Sequence, residues 1–94
     1  MTDTDDEFWN RADAHIHLSN SQISDDSPPG KVSASHMYSM ARFAAWLTFI
    51  GVESAEELRA EKEQSIAYFL DQFEKMLIEN FDDHYQNFEQ YAQK

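Results

Sequence analysis

Apolar residues recur at three- and four-residue steps along three stretches of the chain, and two breaks separate the stretches. The breaks are Ser27-Pro28-Pro29-Gly30 and Gly51-Val52-Glu53-Ser54, which hold both glycines and both prolines. Helix 1 is predicted over 5–24, where Trp9, Ala12, Ile16 and Ile23 fall near one face, with Phe8 and His15 beside it. Thr4 and Glu7 have the spacing of a capping box, and Asp5 and Asp6 suit the positive end of the helix dipole. Helix 2 is predicted over 32–50. Met37, Met40, Ala41, Phe43, Ala44, Trp46, Leu47 and Ile50 cover more than one stripe, and Tyr38, Ala45 and Phe49 add to the remaining sides. A helix apolar on nearly every side is either central or meets a partner with its second face. Gly51 is placed to stop it in a left-handed conformation.

Helix 3 begins at Ser54, whose spacing to Glu57 is again that of a capping box. Leu58, Ile66, Phe69, Leu70, Phe73, Met76, Leu77 and Phe81 then mark one face over 54–81 or longer, with Lys62, Glu63, Glu74 and Lys75 assigned to the polar side. At 1.5 Å per residue this helix reaches about 40 Å, beyond the roughly 30–35 Å diameter of a compact globule of this size. Tyr85, Phe88 and Tyr91 continue the apolar spacing into a tail over 84–94. Three outcomes are open there: a bend near Asp82-Asp83 with the tail folded back, contact of these aromatics with another subunit, or fraying. The expected architecture is therefore all-α: a small antiparallel three-helix bundle with a long third helix and a C-terminal extension or fourth short helix. The 94 residues are expected to form a single helical domain, with 1–4 a flexible start.

Composition narrows the function classes. The seven Phe, four Tyr and two Trp make a compact core feasible, although a chain this short buries only roughly 60–65% of its unfolded surface. Cysteine is absent, which excludes disulfides, thiolate metal sites and cysteine nucleophiles. The net charge of −11 repels phosphate backbones and anionic membranes, so nucleic-acid and membrane binding are not expected, whereas a basic protein would be steered toward the chain. The acidic first residues are unlike a secretory signal, and the best apolar run, Phe43 to Ile50, is far too short to span a bilayer. Cytoplasmic residence is the expectation.

Few motifs carry chemistry. Asp13-Ala14-His15-Ile16-His17 resembles the metal-binding strand of amidohydrolases, but that family needs a barrel of about 250 residues, and on a helix His15 and His17 point about 200° apart. Gly30-Lys31-Val32-Ser33 lacks the upstream glycine of a phosphate-binding loop. Asp82-Asp83-His84 with Glu79 has no calcium-loop spacing and reads as a solvated helix end. No catalytic residue, metal ligand or cofactor is assigned. Arg42 is the most informative polar residue. It lies four residues from both Tyr38 and Trp46 on the most apolar helix, so it is a candidate for a structural ion pair with Asp13, Asp71 or Glu74.

One resemblance covers most of the chain from Phe8 to Asp83. It rests on Phe8-Trp9-Asn10-Arg11-Ala12-Asp13 and Leu18-Ser19-Asn20 in the first helix and on Met40-Ala41-Arg42-Phe43 in the second. In the third it rests on Glu61-Lys62-Glu63, Ile66-Ala67-Tyr68-Phe69 and Met76 through Asp83. This pattern resembles a small proteobacterial family known as domain of unknown function 3144. The resemblance implies a fold and no mechanism.

The expected function is a non-catalytic helical protein–protein interaction module that associates with itself, with Trp46, Phe49, Tyr85, Phe88 and Tyr91 as candidate interface residues. The expected partner is a second copy, as in a homodimer, or a basic protein. Two alternatives come from other classes: an acidic mimic of nucleic acid that occupies a basic protein, and a small-ligand binder or enzyme, which would need a pocket with convergent polar groups.

Overall fold

The computed structural model describes residues 5–93. The chain is all-α, with α1 over Phe8–Ser21, α2 over Pro29–Phe49, α3 over Ala55–Gln86 and α4 over Phe88–Tyr91. Thr4, half of the expected first capping box, and the expected flexible start over 1–4 lie outside the described residues. The chain divides into two compact units, Met1–Ile50 and Gly51–Lys94.

In the first unit, Asp5 organises the entry to α1. Its Oδ1 accepts the Glu7 amide at 2.9 Å, and its carbonyl accepts the Phe8 amide at 3.0 Å. Arg11 Nη2 stands 3.3 Å from both Asp5 carboxylate oxygens. Local desolvation alone pushes the Asp5 carboxyl up, but the Glu7 amide, the Arg11 guanidinium and the Phe8 amide together outweigh it and hold the group below its ordinary value. This closure is therefore complete above the ordinary carboxylate range and is lost as pH falls through the lowered value.

Helix α2 starts three residues earlier than its periodicity indicates, at Pro29 rather than Val32. The pyrrolidine ring presets the dihedral that a first helical residue needs, and its missing N–H would have had no partner there. Pro28 supplies the extended N-cap, and its carbonyl accepts the Lys31 amide at 2.9 Å. Ser24 and Ser27 exchange amide-to-carbonyl bonds of 2.9 and 3.1 Å, closing the connection from α1. At the other end, the expected left-handed Gly51 is corrected: no described glycine has positive φ. Ile50 keeps right-handed helical dihedrals and gives its amide to the Trp46 carbonyl at 2.9 Å, so the helix runs out into a turn without needing a reversed residue.

The first unit is thinly closed. Ser19 Oγ lies 2.9 Å from His36 Nδ1, and the His15 and His36 rings are 6.2 Å apart. Only Val32 and Ala44 are buried among the described residues. In the second unit, α3 is 32 residues long, about 48 Å. Its N-terminus is capped as expected, Ser54 Oγ accepting the Glu57 amide at 3.1 Å. The Glu57 carboxylate accepts the Glu53 amide at 2.6 Å, one residue before the N-cap. The helix breaks at Asn87, whose dihedrals leave the helical region at φ −113° and ψ 29°. Asn87 Nδ2 donates to the carbonyl and to Oδ1 of Asp83, both at 3.0 Å. The single turn of α4 then brings the Tyr91 ring onto His84 at 4.4 Å, and the Tyr91 hydroxyl donates to Asp83 Oδ2 at 2.6 Å.

Two predictions follow from these ends. Ser54→Ala removes the acceptor of the Glu57 amide and should lower stability by about 1 kcal/mol in a urea titration followed by circular dichroism. The hydrogen bond and the negative charge of Asp83, with a smaller effect of desolvation, raise the Tyr91 phenol above its ordinary value of 10.0. The α4 closure is therefore intact below pH 10.0 and is lost as pH rises through the raised value. Asp83→Asn should move the Tyr91 titration down toward the ordinary value, read by NMR on the tyrosine ring.

Candidate interaction surfaces

In the first unit the surface is the outer side of α2. Tyr38, Arg42, Ala45 and Phe49 are spaced so that they stack in one row along this helix, with Trp46 beside it. All five are exposed. The Phe43 and Trp46 rings contact each other at 5.5 Å with a 33° tilt, which makes a continuous aromatic ledge near the C-terminal end of α2. The opposite side, with Met37, Met40 and Leu47, is also exposed. Ala44, between Met40 and Leu47 on that side, is nonetheless buried.

Arg42 is exposed and takes part in no ion pair among the described residues. Of the carboxylates considered for it, Asp71 bonds Lys75 at 3.0 Å, one turn away on its own helix. The ion pair that does form in the first unit, Arg11 with Asp5, was not expected from spacing because its acid lies before the helix. His15 and His17 are both exposed, and His15 faces His36 rather than a carboxylate. Asp13 and His17 gather no third ligand: no group of three or more His, Asp or Glu able to hold a metal occurs among the described residues.

In the second unit, α3 carries an apolar row of Ile66, Phe69, Phe73 and Met76, widened by Leu70, Leu77 and Phe81. Lys62, assigned to the polar side from sequence, in fact stands in this row, one turn after Leu58 and one turn before Ile66. Arg59 precedes it on the same face, and Asn80 and Asp83 extend the row at the other end. Sorting residues by polarity hides this arrangement. The signal was present in the three- and four-residue steps 59, 62, 66, 69, 73, 76, 80, 83.

At the junction of α3 and α4 a shallow depression is lined by Tyr85, Gln86, Asn87, Phe88, Glu89 and Gln90. It offers one carboxylate and no cationic side chain. The five residues expected at an interface are all exposed, from 44% for Tyr91 to 82% for Tyr85. Tyr91 is the one whose polar end is engaged, through Asp83. No helix among the described residues is long and apolar enough to cross a membrane.

Comparison with known proteins agrees with this architecture. The chain is 33% identical to the protein NB7890A from Shewanella sp, whose NMR structure it matches with a TM-score of 0.79 over 99% of each chain. Among curated proteins no match is found. The profile of a family described as "Protein of unknown function (DUF3144)" matches residues 8–85, and the chain belongs to that family.

Proposed function

We infer that this chain is a non-catalytic helical interaction module that associates with itself. The observation that carries this reading is the imbalance of burial: Val32 and Ala44 are the only buried residues described, while Trp9, Phe43, Trp46, Phe49, Phe73 and Phe81 are all exposed. Fully burying one such side chain is worth about 1.5–3 kcal/mol, so a chain that leaves many of them half in water forgoes much of its driving force for folding. A second copy supplies matching apolar surface without requiring any other component. The net charge of −11 keeps unassociated chains apart at low concentration and makes association stronger as salt screens that repulsion.

Sedimentation velocity and light scattering across a micromolar concentration series test this reading. A dimer or larger species is expected, with a melting temperature that rises with protein concentration. Phe73→Ala combined with Phe81→Ala should weaken association about tenfold or more, as removal of aromatic anchors does. A monomer at every concentration, melting cooperatively at a fixed temperature, would overturn the reading.

A further inference from the structure

We propose that α3 is the element through which two copies pair, and that the two α3 helices run antiparallel, with Phe69 of one copy level with Phe73 of the other. The proposal rests on the self-association inferred above and specifies its surface, direction and register.

Residues 59, 62, 66, 69, 73, 76, 80 and 83 follow the alternating three- and four-residue steps of a coiled-coil seam. The middle of that seam is apolar and self-complementary. With Phe69 level with Phe73 of the second copy, Ile66 meets Met76, and the same two contacts recur on the other side of the two-fold axis. Asp71, at the level of that axis, points away from the seam and is bonded to Lys75.

The seam is flanked by cations at its N-terminal end, Arg59 and Lys62, and by Asn80 and Asp83 at its C-terminal end. In the antiparallel register Arg59 meets Asp83 and Lys62 meets Asn80, twice per dimer. In a parallel register each layer meets itself, so Arg59 faces Arg59, Lys62 faces Lys62 and Asp83 faces Asp83. Like charges directly opposed disfavour that arrangement. Asp83 is placed for this role: Asn87 and Tyr91 already hold its carboxylate in one orientation. The Asn80 Nδ2 donates to the Met76 carbonyl at 2.8 Å, which leaves its side-chain oxygen to accept from a Lys62 ammonium.

In the row Ile66 and Phe73 are exposed and Phe69 and Met76 half-buried, and Leu70, Leu77 and Phe81 beside it expose between 44% and 68% of their surface. That is roughly 500 Å² of apolar surface per copy, given the size of such side chains. Homodimer interfaces are about 65% apolar and a standard one buries about 800 Å² per partner, so the row together with its flank is large enough to seat a second copy.

Charge reversal tests the register. Arg59→Asp alone and Asp83→Arg alone should each raise the dimer dissociation constant about tenfold or more. The two together in one chain should restore it to within about threefold of the unmodified protein, the signature of a direct pair. Because the chain has no native cysteine, single-cysteine variants give an independent measurement. A mixture of Arg59→Cys and Asp83→Cys chains should form the mixed disulfide dimer in preference to either self-linked one. Preferential self-linking of Arg59→Cys would mean parallel pairing and would overturn the proposal. A dimer indifferent to both reversals would overturn it while leaving self-association standing. A monomer whose α3 row is protected from hydrogen exchange would mean that the chain covers this row itself, and would overturn both.

Discussion

The constraint on which everything else depends is that apolar helical surface exceeds what either unit covers. In the first unit, Ser19 of α1 touches His36 of α2, while Trp9, Phe43, Trp46 and Phe49 stay exposed. Val32 and Ala44 are small side chains, and their burial contributes little compared with what the exposed Trp46, Phe49 and Phe43 would contribute if enclosed. In the second unit, one long helix presents a full row of large apolar side chains. Helices of this kind owe most of their stability to tertiary packing rather than to intrinsic propensity.

Local chemistry defines the elements well even so. Pro29 presets the start of α2, Ser54 and Glu57 cap α3, and Asn87 ends it by turning its side chain back onto Asp83. These devices satisfy backbone groups that have no partner inside the helix, and they act within a few residues of the chain. They explain why the helices are long and distinct although little large apolar surface is enclosed within either unit. Asp83 links the local and the longer-range features, since it takes bonds from Asn87 and Tyr91 and stands at the acidic end of the α3 row.

The existence and type of the three long helices were legible in the periodicity, and so was the Ser54 cap, because both depend on neighbours three and four residues away. The early start of α2 was misread because Pro28-Pro29-Gly30 looks like a break when proline is taken only as a helix breaker. At the first helical position proline is favourable. The left-handed Gly51 was misread for a related reason: glycine permits that conformation but does not require it, and the Ile50 amide already had an acceptor in Trp46. The place of Lys62 on α3 was computable from spacing and was lost by treating every charge as belonging to the polar side.

By itself the sequence determined the helical class, the long third helix, the apolar surface on nearly every side of α2, and the absence of thiol chemistry. Each follows from composition or from spacing along one helix. The tertiary structure decided which surfaces are left uncovered, that His15 stands across from His36, that Arg42 is exposed, and that the tail folds one turn back onto Asp83 and His84. Those outcomes depend on how far apart in space residues distant in the chain come to rest, and no periodicity within a single helix encodes that distance.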